Sequence, residues 1–188
     1  MANVDFPRGL VPYGELLRAT WYQVPSAVVG NVDLFIGDPV ILTGTGNQCD
    51  IATAGTGNPL LGAILATYDA NQVPTKYHED NGGAGYLLVA DHPDQLFVAQ
   101  GDGDTTIFSA DDAGGNVNLV ATAVGSTVNY RSGWELDDSD TGGTTAGDQI
   151  RLMKVVPRAD NTVAIANADW IVRINNHQQT SDIVGVGV

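Results

Sequence analysis

Thirteen residues, NVDLFIGDPVILT at 31–43, limit what this chain can fold into more than any other stretch. Two apolar runs meet there at a hinge of Gly37, Asp38 and Pro39. In an extended chain Val32, Leu34 and Ile36 fall on one side, and Val40, Ile41 and Leu42 resume the run, so at least one face must be buried. Gly37 tolerates backbone angles that other residues avoid, Asp38 favours turns, and Pro39 blocks both a helix and a mid-strand ladder bond. The stretch predicts the central pairing of a β-rich fold. It demands no catalytic residue type.

The rest of the chain repeats this texture. Glycine makes up 23 of 188 residues, against a usual share of about seven per cent, and it separates short apolar runs rather than recurring in a repeat. Strands are predicted at Thr20–Val24, Cys49–Thr53, Pro59–Tyr68, Tyr86–Ala90, Leu96–Gln100, Gln149–Val156 and Ala168–Asn176, the last two in one sheet. Leu96 and Val98 should face away from Phe97 and Ala99. Thr106–Ala110 reads as a short strand or helix entry, Asp111–Ala123 as weakly helical, and Gly125–Leu136 as strand, turn and strand. The fold class expected is all-β: a compact β-sandwich or barrel of short antiparallel strands, with an extended N-terminal arm and few short helices. The expected division is an arm over 1–19, one β-rich domain over 20–176 and a mobile tail over 177–188.

Charge narrows the function classes. Eight basic residues against 22 acidic ones give a net charge of −14, which argues against a nucleic-acid or anionic-membrane surface, because polyphosphate partners need clustered Lys and Arg. Residues 76–148 hold 13 carboxylates and only Lys76 and Arg131 as cations, whereas 149–188 hold three carboxylates against Arg151, Lys154, Arg158 and Arg173. That predicts a solvated middle and a contact-making end. Cys49 is the single cysteine, so no intrachain disulfide can form. No apolar run approaches a membrane span, and Met1–Leu10 lacks the features of a secretory signal, so the expected site of synthesis and action is a cytoplasm.

Motifs that carry chemistry are sparse. Asp102, Gly103 and Asp104, and separately Asp138, Ser139 and Asp140, each supply two acidic oxygens of a calcium loop without the remaining EF-hand ligands, and an ordinary solvated turn is the competing reading. No metal or other cofactor is expected. His78, His92 and His177 fall in predicted loops or strand ends and read as surface or turn residues; no nucleophile elbow is present, and Gly82-Gly83 and Gly114-Gly115 lack the lysine of a phosphate cradle. An enzyme is not expected; a hydrolase with dispersed carboxylates is the remote rival. Trp21, Trp134, Trp170, Tyr22, Tyr86 and Tyr130 could stack on a sugar ring, or fill a core or an interface centre.

Beyond these readings, the layout of the chain resembles a family of tailed-bacteriophage virion proteins, the capsid cement or decoration proteins. The matching segments are an MAN start leading to PRGLVPY, then VDLFIGDPVIL, NPLLGAILA, YLLVADHPDQLFVAQ, SGWELD and QIRLMKVVPRADNTVAIANADWIVRINNHQ. The resemblance implies a structural protein on the outer surface of an icosahedral head, clamping junctions between capsomers of the major capsid protein, as a homotrimer or homodimer. In that setting the arm, with Phe6, Arg8, Leu10, Val11 and Tyr13, would lie across a capsid sheet or a neighbouring subunit. Deleting residues 2–13 would leave the body folded. Arg151, Lys154, Arg158 and Arg173 would either meet acidic groups of a partner or balance the chain's own acids. A carbohydrate-binding or adhesive head-fibre or tail module is the alternative.

Overall fold

The computed structural model describes residues 3–25, 32–80, 83–104, 106–121, 125–140 and 145–180. Among these, the chain is nearly all β, with several antiparallel sheets, as expected from the sequence. The strands are β1 (Val11–Pro12), β2 (Ala19–Val24), β3 (Pro39–Leu42), β4 (Cys49–Ile51), β5 (Gly62–Tyr68), β6 (Pro74–Thr75), β7 (Gly85–Ala90), β8 (Leu96–Gln100), β9 (Asn116–Val117), β10 (Leu119–Ala121), β11 (Trp134–Leu136), β12 (Ile150–Val155) and β13 (Asp169–Ile174). Two single turns of 3-10 helix, Ala110–Asp112 and Asp138–Asp140, interrupt them.

One sheet runs β2-β7-β5-β3-β4, with β6 on β5. All of its neighbours are antiparallel. Five such strands leave the two edge strands pointing the same way, so the sheet can close only through a parallel contact. Gln23 and Gln48 form that parallel bridge, with the Gln23 amide donating to Asn47 O at 2.9 Å and Asn47 Nδ2 donating to Trp21 O at 2.7 Å. Tyr22, Val24, Val40, Cys49, Ile64, Leu87 and Val89 pack together inside.

The second sheet closes in the same way, so that each of the two forms a small barrel. It runs β1-β8-β13-β12-β9, and only Asn118 separates β9 from β10, which pairs with β11. Beyond the end of β8, Gly101 meets Leu136 of β11 in a parallel bridge, and the Asp102 amide donates to Leu136 O at 3.0 Å. Phe97, Ala99, Leu119, Leu136, Ile150, Leu152, Trp170 and Val172 share its core with Leu60, Ala63 and Ala90 of the first sheet. The run LLGAIL is continuously apolar for this reason: Leu60 and Ala63 belong to the second core, Leu61 and Ile64 to the first, so both faces are covered.

Several expectations are corrected. Leu34 and Ile36 do not share a face: Leu34 and Phe35 are buried, whereas Ile36 is 44% exposed. The Asp38 carboxylate accepts the Phe35 amide at 2.8 Å, and the Asp38 amide returns to Phe35 O at 3.1 Å, a tight turn that rotates the chain before β3 begins. Asp111–Ala123 is not helical. Ser109 and Asp112 form a capping box that supports one 3-10 turn, Gly114 at φ +93° ends it, and the following residues pair as β9 and β10; residues 122–124 lie outside the described set. Gly125–Leu136 yields a turn closed by a Ser126–Arg131 bridge and only one strand, β11.

Both ends of the described chain belong to the body. Leu10 is fully buried in the second core, the Gly9 amide donates to Trp134 O at 3.1 Å, and Tyr13 N–H donates to Leu96 O at 2.8 Å. Phe6 N–H reaches Gln100 Oε1 at 2.7 Å, and Asn3 exchanges bonds with Thr162. Deleting residues 2–13 would therefore open that core, contrary to the expectation from sequence. His177 is likewise buried rather than part of a mobile tail, bridged to Leu60, with Gln178 N–H on Leu60 O at 2.8 Å. Residues 181–188 lie outside the described set.

Candidate functional site

The arm and the body build one surface together. Phe6, Arg8 and Val11 from the arm, Ile36 from the turn before β3, and Asn129, Tyr130 and Arg131 line a depression of about 360 Å³. Phe6, Val11 and Ile36 are each about 40% exposed, and the Arg131 guanidinium lies 3.9 Å from the Phe6 ring centroid, an attractive placement of cation over π face. Tyr130 is also a wall of a second depression of about 360 Å³, shared with Asp69, Thr75, Lys76, Tyr77, His78 and Glu79.

An aromatic row holds this wall. Phe35, buried, stacks on Tyr77 at 5.3 Å, and Tyr77 stacks on Tyr130 at 5.9 Å, with Lys76 Nζ 4.4 Å above the Tyr130 ring. The turn over 126–131 sets the ring there. Ser126 Oγ accepts the Val128 amide, Tyr130 N–H donates to Ser126 O at 2.6 Å, and Tyr130 sits at φ +56°. A non-glycine residue in the left-handed region is held against local preference, and such residues cluster where surfaces bind or switch. Val128, at the turn's tip, is 89% exposed. Three of the chain's eight basic residues, Arg8, Lys76 and Arg131, thus converge on one apolar and aromatic surface.

The residues singled out from sequence separate into groups. Phe6, Val11 and Tyr13 are exposed, but Leu10 is buried and reaches no partner. Arg8 and Arg158 come together on the buried Asp169 carboxylate, at 2.8 and 2.9 Å, so the arm is tied down by an internal ion pair. Arg173 lies across the ladder from Arg151 and meets Asp94 at 3.3 Å. Arg151 and Lys154 are exposed on β12. Of the four cations over 149–176, Arg158, between β12 and β13, and Arg173, on β13, balance the chain's own acids.

Of the six aromatics that could stack on sugar, fill a core or centre an interface, three are buried, and Trp21, Tyr86 and Tyr130 reach solvent. Trp170 and Tyr22 are buried and Trp134 is 8% exposed, while Trp21, 45% exposed, packs on Tyr68 at 4.4 Å between centroids. The histidines also fall into structural positions, two of them in the core rather than at the surface. Burial lowers the His78 imidazole below its ordinary range and takes His177 down to about 4, and His92 Nδ1 accepts the Asp94 amide within a turn. Tyr22 and Arg18 both donate to Asp91, and Gln179 bridges the two donors: burial pushes the Asp91 carboxyl upward, but the Arg18 and Tyr22 hydrogen bonds outweigh this and hold it below the usual range.

Sequence reasoning does not assign Ile36, Lys76, Tyr77 or Arg131 to a site. One signal pointed at them: Lys76 and Arg131 are the only cations in an acidic stretch, and the fold brings both to Tyr130. Compared with known proteins, the chain matches no family model, no curated protein and no solved structure.

Proposed function

We propose that this protein is a structural, non-enzymatic component of a tailed-phage virion, a cement or decoration subunit. It binds the outer face of the head and ties neighbouring units of the major capsid protein together, acting as a homotrimer or homodimer. The observation that carries this reading is the surface around Phe6, Ile36, Tyr130 and Arg131: apolar, aromatic and cationic, in a protein of net charge −14. Exposed aromatic and Arg anchors are the residue types that dominate protein interfaces. The acidic remainder suits a surface turned away from packaged DNA. A subunit that engages two capsomers at once gains from effective concentration, so modest contacts suffice to resist their separation.

Purified protein added back to heads that lack it tests the proposal, with occupancy read by electron microscopy. The double variant Ile36→Asp, Arg131→Glu is expected to keep the wild-type circular dichroism and to bind at least about tenfold more weakly, the equivalent of one lost anchor. Lys154→Glu serves as the contrast. Should that variant lose occupancy while the double variant retains it, the contact surface is the exposed face of β12 instead; failure of the wild type to bind heads overturns the capsid reading. A second reading, glycan binding by an adhesive fibre or tail module, is favoured by the exposed Trp21 ring beside Tyr68. Glycan-array binding lost in Trp21→Ala would select it.

A further inference from the structure

Two acidic turns that look independent in the sequence meet where the second barrel closes. The Gly101–Asp104 turn follows β8, the Asp138–Asp140 turn follows β11, and the Gly101–Leu136 bridge joins them. One carboxylate oxygen each from Asp102, Asp104 and Asp138 lies within 4.8 Å of the others. Asp138 is 1% exposed. Its Oδ2 accepts the Gly103 amide at 2.9 Å, but its Oδ1 is buried with no hydrogen-bond partner.

A buried carboxylate oxygen without a partner is costly, and two more carboxylates beside it make the missing partner a positive one. We propose that Asp102, Asp104 and Asp138 form a divalent-cation site selective for Ca²⁺. The donors are all hard oxygens, which excludes the soft metals. The three oxygens lie close enough together to share one cation, and Ca²⁺, which accepts irregular oxygen coordination, suits them better than Mg²⁺, which demands a near-ideal octahedron and dehydrates reluctantly. The ion pins the turn after β8 to the turn after β11. It thereby reinforces the seam that closes the barrel, and none of this depends on what the protein binds in a virion.

The full chain, stripped with chelator, is titrated with CaCl₂ and separately with MgCl₂ by calorimetry, and its thermal unfolding is followed in parallel. One Ca²⁺ per chain is expected, bound more tightly than Mg²⁺, with the midpoint raised by about 5–10 °C once free Ca²⁺ reaches about 100 times Kd. Asp138→Asn should abolish that rise. Because a buried substitution can impair folding, Asp104→Asn, at an exposed position, provides the second test and should weaken binding by about tenfold or more through loss of one charged ligand. No heat and no midpoint change with Ca²⁺ overturns the proposal, as does wild-type affinity in Asp104→Asn, which would place binding elsewhere on the acidic surface.

Discussion

Gly37→Ala is expected to destabilise the protein by about 2–5 kcal/mol and to free the arm. Gly37 sits at φ +95°, and a Cβ there would overlap the carbonyl oxygen of Arg8; Gly9, at φ +66°, faces it, and a Cβ on Gly9 would overlap the carbonyl oxygen of Gly37. The two glycines let the arm cross the hinge backbone to backbone. Gly37 N–H donates to Ile64 O of β5 at 2.8 Å, and Gly37 O accepts the Leu10 amide at 2.9 Å, so this one residue joins the first barrel to the arm that plugs the second. Alanine meets two penalties: about 1–2 kcal/mol for the left-handed backbone and about 1–3 kcal/mol for overpacking, as the arm retreats and Leu10 loosens in the core. Gly14→Ala separates them. Gly14 has φ +76° with nothing within 4 Å of its Cβ position, so it bears only the conformational penalty. Urea unfolding should show Gly37→Ala losing clearly more than Gly14→Ala, and amide exchange at Leu10 should accelerate. Equal losses would mean that the arm does not press on the hinge.

The same crossing shows what the sequence could and could not reveal. Strands with clean alternation or two-sided burial were legible: Phe97 and Ala99 face the core as the pattern at 96–100 required, and Trp170 and Val172 do so on β13. The hinge was legible as a turn, but not as the seat of the arm. The arm has no apolar period, because it is held by main-chain bonds, by polar contacts of Asn3 and Arg8 and by one buried apolar side chain, Leu10. Asp111–Ala123 misled because its helical signal is real for one turn: the Ser109–Asp112 capping box forms, and pairing with β11 and β12 then takes over, a tertiary override of local preference. The candidate surface and the three-aspartate cluster were legible only in pieces. Lys76 and Arg131 stand out as isolated cations, and Asp102 and Asp138 as acidic turns, but their meeting depends on barrel closure between residues far apart in sequence.

At pH 8, Asp38→Asn is expected to be more stable than the wild type by up to about 4 kcal/mol, an advantage that vanishes near pH 4. Asp38 is 3% exposed. Burial pushes its carboxyl up to about 7, although hydrogen bonds from Ser132 and the Phe35 amide work to lower it. The unfolded chain releases this proton near the ordinary value of 3.8. Between those limits the native state holds a proton that the unfolded state has lost, so this group's contribution falls as pH rises from about 4 and levels off above about 7. The gap from 3.8 to about 7 corresponds to about 4 kcal/mol. His177 acts in the opposite sense. Its buried imidazole, lowered to about 4, contributes stability that is complete above about pH 6.5 and is lost as pH falls toward 4. Between about pH 4 and 6.5 the two contributions change in opposite directions and largely cancel, so the Asp38 dependence is exposed only by comparing the wild type with a variant that lacks it. Asparagine keeps an oxygen for the Phe35 amide and carries no charge to bury, so the variant retains the His177 dependence and loses that of Asp38. Denaturant unfolding of both proteins from pH 4 to 8 reads this directly, because every other titration cancels in the difference. Parallel curves would show that Asp38 ionises in the native state without cost, and that the turn beneath Ile36 is open to water.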